Sequence, residues 1–169
     1  MLALSLILAG ILLRFAPHAP NFTPVAAIAL FSGACLNKRH ALIVPLLLMV
    51  ISDLMIGMHN VVAFTWGSFV LVCLLGIWVK GKKSPSRIVA ASLASSLLFF
   101  VISNFGVWAM GWYPRTLSGL ADCYIMALPF LRDFTVATVL YSAVFFGAYE
   151  LVSRLVKDTK LSRVLLEIL

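Results

Sequence analysis

Six runs of apolar residues, separated by short polar or proline-rich breaks, occupy most of this 169-residue chain. They are residues 2–13, 25–36, 41–56, 61–79, 88–110 and 134–156. A soluble domain carries roughly a quarter charged residues, whereas this chain has 11% charged and 63% hydrophobic residues. No soluble core of this size could bury so much apolar surface, so the surplus must face lipid. The sequence therefore predicts an all-α, polytopic membrane protein, built as a bundle of six helical spans.

The six apolar runs differ in length. A helix needs about 20 residues to cross a bilayer, and only the last three runs approach or exceed that length. We expect the first three to extend into their flanks, to tilt, or to stop part-way against other helices. Residues 1–156 are thus predicted to form a single six-span transmembrane domain. In residues 157–169, apolar positions are set against charged ones at helical spacing, which predicts a cytoplasmic amphipathic tail.

The basic residues indicate the orientation of the chain in the membrane. Six spans place ten of the 13 Lys and Arg residues on one side and only Arg14, Arg115 and Arg132 on the other. The positive-inside rule makes the richer side cytoplasmic, so both termini are expected in the cytoplasm. Because these residues flank spans and form no stripe with exposed aromatics, the expected large partner is the lipid bilayer, and no nucleic acid is expected. A cleaved signal peptide is the rival interpretation of residues 1–19, but no Lys or Arg precedes that apolar stretch.

The predicted outer loops are rich in prolines and aromatic residues. Residues 15–24 read FAPHAPNFTP, and their three prolines oppose a helix. After the fifth run, Trp112 and Tyr113 suit the level of the lipid headgroups. Thr116 is expected to cap a short helix that Pro129 ends. We therefore expect a partly helical outer loop, which either covers a cavity or lies flat on the membrane.

Polar residues inside apolar runs are the main candidates for a binding site. Asp53, near the outer end of the third run, costs about 2.5–3.5 kcal/mol within hydrocarbon on insertion scales. It should therefore pair with Arg14 or Arg132, or line a wet cavity. Asn104, in the fifth run, must form a hydrogen bond with a neighbouring helix or with a ligand. A structural ion pair and a hydrogen bond between helices are the respective alternatives.

Aromatic residues near the outer face offer a second kind of contact. Trp108 and Tyr124 are placed to stack on a flat ligand, although an aromatic belt at the membrane interface explains them equally well. His18, His59 and Cys123 lack the spacing of a metal site, so no metal or cofactor is expected.

No catalytic motif is present in the chain. Gly76, Gly81 and Lys82 fit the start of a phosphate-binding loop, but Lys83 occupies the position that requires Ser or Thr. The chain also contains no HExxH and no GxSxG sequence. We therefore expect no enzyme activity and no catalytic residue.

Three stretches of the chain carry a resemblance to known proteins. NFTPVAAIALFSGA, VPLLLMVISDLMIG and SNFGVWAMGWYPRTLSGLADCYIMALPF, with the final apolar helix, resemble a family of uncharacterised bacterial inner-membrane proteins across residues 14–155. That family is similar to the substrate-binding S components of energy-coupling factor (ECF) transporters. The resemblance implies a six-helix, vitamin-binding subunit of the inner membrane whose site opens outward beneath its outer loops.

The resemblance also implies partners, namely an ECF membrane subunit and two ATPases that drive the S component. One feature departs from the family pattern. An AxxxA coupling motif is expected in the first helix, which here offers only Ser5 and Ala9. Coupling to an ECF module and action as a solitary transporter therefore both remain open.

The sequence as a whole predicts a membrane transport subunit that binds a small vitamin-like or micronutrient ligand from the periplasmic side. The expected ligand-binding residues are Arg14, Asn21, Asp53, Asn104, Trp108 and Tyr124. Arginine and aspartate would interact with charge, the asparagines would form hydrogen bonds, and the aromatic rings would stack. The alternative is a non-transport membrane protein that assembles with, or stabilises, a larger membrane complex.

Overall fold

A computed structural model describes residues 1–15, 20–157 and 159, which form six α-helices and no strand. The helices are α1 (Leu2–Phe15), α2 (Val25–Cys35), α3 (Lys38–Ile56), α4 (Val62–Lys80), α5 (Pro85–Ala109) and α6 (Leu117–Val156). The prediction of an all-α fold with six helices is confirmed. By length and composition, α4, α5 and α6 are able to cross a membrane, and the apolar stretches of α1, α2 and α3 are shorter, as expected. Most of the predicted tail lies outside the described residues.

Side-chain caps mark the starts of three helices. Asn37, Ser84 and Thr116 each accept a hydrogen bond from the backbone N–H three residues later, at 3.0, 3.4 and 3.1 Å respectively. Each bond satisfies one of the four N–H groups that a helix start leaves unpaired. The prediction that Thr116 caps a helix is therefore confirmed.

Helix α6 continues through Pro129 and ends only at Val156. The prediction that this proline ends a short outer helix, before a separate span at 134–156, is wrong. An internal proline removes one backbone hydrogen bond and costs about 3 kcal/mol in an exposed helix, but packing against neighbouring helices offsets that cost. The buried residues of α6 continue on both sides of the proline: Gly119, Cys123, Ala127, Phe134, Ala137, Thr138, Ser142, Phe145 and Phe146.

Helix α2 forms the centre of the bundle. All 11 of its residues are buried, and it packs against α1, α3, α4, α5 and α6. At 1.5 Å per residue it is only about 16 Å long, and its enclosure by protein explains how so short a helix is accommodated. Gly33 of α2 and Gly76 of α4 make the crossing of these two helices close, because a Cβ on either would meet a backbone carbonyl oxygen of the other helix.

The connecting segments gather at two ends of the bundle. Segments 20–24, 57–61 and 110–116 lie at one end, which we call the aromatic end. Segments 36–37 and 81–84 lie at the other, together with the last turns of α6, and we call it the basic end. Lys80 at the end of α4 donates a hydrogen bond to the carbonyl of Leu36 at 2.7 Å, which ties the C-terminus of α2 to this end. Each end carries one of the two hollows described below.

Candidate ligand-binding site

A cavity of about 360 Å³ opens at the aromatic end. Its walls come from the segment before α2, the segment 57–61, the start of α4, the C-terminal half of α5 and the middle of α6. Pockets that hold small organic ligands have volumes of roughly 300–1,000 Å³. The aromatic-end cavity is therefore large enough for one small molecule.

One wall of the cavity is aromatic and rigid. Phe99 of α5 and Phe134 of α6 both line the cavity, and their rings stack with centroids 4.6 Å apart at an interplanar angle of 28°. Phe69 of α4 stacks on the far side of Phe99 at 5.0 Å. Because three helices each supply one ring of this stack, the wall is fixed by the helix packing. Because Phe99 lies between two rings, the face of Phe134 turned away from Phe99 is the surface that this wall offers to a ring system.

Three small polar side chains face the same space. Thr65, Ser103 and Asn104 line the cavity, and each donates a hydrogen bond to a backbone carbonyl three or four residues earlier, at 2.9, 2.7 and 2.8 Å respectively. Those bonds use one donor of each side chain. The two hydroxyl oxygens, the amide oxygen and the second amide hydrogen retain hydrogen-bonding capacity. The cavity therefore combines an apolar wall with convergent neutral polar groups.

Asp53 is buried behind the cavity and reaches it through a neighbour. Its Oδ2 accepts a hydrogen bond from Nε1 of Trp66 at 2.9 Å and lies 3.9 Å from Nε2 of His59, a residue that lines the cavity. The other ring nitrogen of His59, Nδ1, is buried and has no hydrogen-bond partner among the described residues. A buried polar atom normally has a partner, so Nδ1 of His59 is one of the few exceptions among the described residues.

The structure tests only one of the two arginines that were expected to pair with Asp53. The structure describes the side chains of both Arg132 and Asp53. Arg132 is exposed on α6 and forms no ion pair with Asp53. The side chain of Arg14 lies outside the described residues, as does His18. A role for Arg14 in ligand binding therefore stays a prediction.

Two segments meet at the rim of the cavity. Nε1 of Trp112 donates a hydrogen bond of 3.2 Å to the side-chain oxygen of Asn60, which joins the turn after α5 to the segment before α4. Trp112 is 67% exposed even though it lines the cavity, as expected for a residue at the rim. Gly111 just before it has a φ of 84°, a left-handed conformation that glycine adopts without steric cost.

Two of the predicted ligand-binding residues, Asn21 and Asn104, line the aromatic-end cavity. Asn21 has a φ of 58°, a conformation in which asparagine is enriched over most other residues. The two amides approach from different parts of the chain, one from the segment before α2 and one from α5. Their contact with a ligand stays a prediction.

Trp108 and Tyr124 hold the hairpin of α5 and α6 together and do not line the cavity. Nε1 of Trp108 donates to the carbonyl of Pro114 at 3.0 Å. The hydroxyl of Tyr124 donates to the carbonyl of Val101 at 2.7 Å. These polar atoms already have partners within the protein, so the structure gives both residues a packing role.

The structure adds lining residues that were not in the predicted set. His59, Thr65, Ser103, Trp112, Phe99 and Phe134 line the cavity. A sequence signal existed for Ser103, which adjoins Asn104 in the same polar break of the fifth apolar run. No such signal existed for the two phenylalanines, since this chain contains 12 residues of that type.

Comparison with known proteins identifies the family of this chain. Residues 1–161 match the family of unknown function DUF6580, and the chain belongs to that family. The predicted membership of an uncharacterised family is thereby confirmed. No curated protein and no solved structure matches the chain.

Proposed function

We propose that this protein is a membrane transport subunit that binds a small vitamin-like or micronutrient molecule from the periplasmic side for uptake. The observation that carries the proposal is the aromatic-end cavity, in which a stacked phenylalanine wall faces hydroxyl and amide groups. A mostly apolar pocket with a few convergent polar groups is the usual form of a small-molecule site.

The lining indicates the chemistry of the ligand. Among the described lining residues none is Asp, Glu, Lys or Arg, so recognition by them rests on stacking and neutral hydrogen bonds. A planar ring system would stack on the face of Phe134 that is turned away from Phe99. Its polar substituents would then reach Ser103 and Asn104, which lie one to two helical turns along α5 from Phe99. His59 supplies the titratable group of this described lining, with Asp53 behind it.

The distribution of charge supports the proposed direction of binding. The segment between α4 and α5 and its flanks carry Lys80, Lys82, Lys83 and Arg87 at the basic end. The positive-inside rule assigns that end to the cytoplasm. In a bacterial inner membrane the cavity then opens to the periplasm, both termini lie in the cytoplasm, and the three N-terminal helices complete a six-span domain.

Energy for uptake would come from outside this chain. Its sequence has no phosphate-binding loop for ATP, because Lys83 stands where Ser or Thr is needed. In the arrangement implied by the resemblance to S components, a separate membrane subunit and two ATPases would drive transport. Action as a solitary carrier is the other arrangement, since Ser5 and Ala9 stand in place of an AxxxA motif.

A binding screen tests the proposal directly. The protein would be purified in mild detergent and analysed by native mass spectrometry, first for a co-purified molecule and then against a panel of vitamins and cofactors. We expect one member of the panel to bind at one molecule per chain and to compete with any co-purified molecule. Binding of none would contradict the proposal, and would favour the alternative of a protein that stabilises a larger membrane complex, detectable by cross-linking in intact membranes.

A further inference from the structure

A second hollow, of about 400 Å³, lies between α5 and α6 at the basic end. Its wall on α6 extends from Val139 to Arg154, which is about 22 Å along the axis at 1.5 Å per residue. The α5 side extends from Pro85 to Ser92. Both helices are long and apolar enough to cross a membrane, so this basic-end groove opens toward lipid.

The interior of the groove is apolar and lined by small residues. Ala143 and Gly147 lie along its α6 wall, and a Cβ added to Gly147 would meet no atom within 4 Å. The hydroxyl of Ser92 already donates to the carbonyl of Ile88 at 2.9 Å, so it does not demand a polar occupant. The shape and chemistry of this space suit a flexible hydrocarbon chain.

The mouth of the groove is charged and predominantly basic. Lys83 and Arg154 are two cations of the lining, against the single anion Glu150. Nε of Arg154 donates to the carboxylate of Glu150 at 2.8 Å, and both side chains are mostly exposed. The other N–H groups of the guanidinium keep their donor capacity. Nζ of Lys83 lies 5.2 Å from the ring centroid of Tyr149, at the same mouth.

We propose that the basic-end groove binds an anionic phospholipid of the surrounding bilayer. One acyl chain lies along Ala143 and Gly147, and the phosphate contacts Lys83 and Arg154. The charge at the mouth complements a phosphate, and cationic side chains near a membrane surface attract anionic lipids. Arginine and lysine both form charge-assisted hydrogen bonds with phosphate oxygens. This proposal does not depend on the ligand of the aromatic-end cavity.

Native mass spectrometry of protein released from lipid nanodiscs tests the proposal. The nanodiscs would contain equal amounts of phosphatidylglycerol, which is anionic, and phosphatidylcholine, which is zwitterionic. We expect one phosphatidylglycerol per chain to be retained in preference to phosphatidylcholine. The double variant Lys83→Gln/Arg154→Gln should reduce that retention about tenfold or more. The single variant Lys82→Gln, which removes a neighbouring charge outside the lining, should leave the retention unchanged.

A second pair of variants tests the apolar part of the site. Gly147→Leu places a side chain in the open space of the groove and should abolish retention of the lipid. Gly67→Leu is the matched control, because a Cβ at Gly67 also meets no atom within 4 Å and this residue lies outside the groove. Equal retention of the two lipids, or retention unaffected by Gly147→Leu, would overturn the proposal. A protein dimer lost only in Gly147→Leu would also overturn it, because the groove would then hold a second copy of the chain.

Discussion

The aromatic end and the basic end of the bundle are built partly by the same pair of helices, yet they differ in chemistry. At the aromatic end, α5 and α6 frame a cavity with hydroxyl and amide groups and no charged residue in its described lining. At the basic end, the same helices frame an apolar groove with three charged side chains in its lining. The first suits a neutral polar molecule with a flat ring, and the second suits a charged lipid.

The middle of the helix pair explains why the two hollows are separate. Small buried residues lie between them, namely Ser95 and Ser96 on α5 and Ala137 and Thr138 on α6. Small residues let membrane helices approach closely, so the close packing of α5 and α6 at this level separates the two hollows. We expect ligand binding at one end and lipid binding at the other to be separable by substitution.

The largest effect should come from the core that both ends share. In Gly33→Ala, the new Cβ would collide with the carbonyl oxygen of Cys73 on α4, so α2 and α4 would have to separate. We expect a loss of about 1–3 kcal/mol or more in the free energy of unfolding, with weakened binding at both ends. Thermal unfolding in detergent measures this, with Gly67→Ala as the control. Equal stability of the two variants would contradict the close crossing.

A substitution behind the cavity should affect the aromatic end alone. Asp53→Leu removes the carboxylate that accepts from Trp66 and lies near His59, at a cost of about 1–3 kcal/mol for each buried group left unsatisfied. Asp53→Asn retains an oxygen that can accept from Trp66 and should be milder. We expect ligand binding to fall in the order wild type, Asn, Leu in calorimetric titrations. Equal loss of phosphatidylglycerol retention would show that the two ends are not independent.

A smaller effect is expected from one hydroxyl inside the cavity. Ser103→Ala should weaken ligand binding about fivefold to tenfold, corresponding to one net hydrogen bond of roughly 1 kcal/mol. Ser95→Ala is a matched control, because both hydroxyls donate at 2.7 Å to a carbonyl four residues earlier, but Ser95 lies outside the cavity. If both variants weaken binding equally, the hydroxyl of Ser103 does not contact the ligand.

The smallest effect should come from the rim of the cavity. Trp112→Phe keeps an aromatic ring but removes the hydrogen bond to Asn60, so the two segments at the rim should separate more readily. We expect ligand dissociation to accelerate about threefold, as for one exposed hydrogen bond of roughly half a kcal/mol. Stopped-flow measurement of dissociation checks this. Trp78→Phe, at an exposed tryptophan beside Arg87, should leave the rate unchanged.

Much of the fold could be predicted from the chain, because helix-forming runs and caps are local features. The apolar runs predicted the positions of α4 and α5 to within a few residues, and Thr116 marked the start of α6. The prediction at Pro129 was wrong because packing along the whole of α6 outweighs the local tendency of proline to end a helix. The burial of α2 could not be predicted, since a helix that is apolar on all sides looks the same whether lipid or protein surrounds it.

The residues that line the cavity were harder to predict from the sequence than the fold was. Asn21 and Asn104 could be selected because amides are unusual beside long apolar runs. That Trp108 and Tyr124 lie outside the lining could not be predicted, because their placement depends on the rotation of α5 against α6, which the pattern of apolar residues does not specify. Thr65 and Ser103 were not predicted to line a site, because hydroxyls in helices commonly donate to their own helix backbone and so give little indication of a ligand.

A density map of the protein extracted from its native membrane, without added ligand, tests the central claim most directly. We expect density for one planar molecule in the aromatic-end cavity, stacked on the face of Phe134 that is turned away from Phe99. A polar atom of that molecule should lie about 3 Å from Ser103 or Asn104. A cavity closed by its own side chains, or one that still holds only water after incubation with the full vitamin and cofactor panel, would contradict the account.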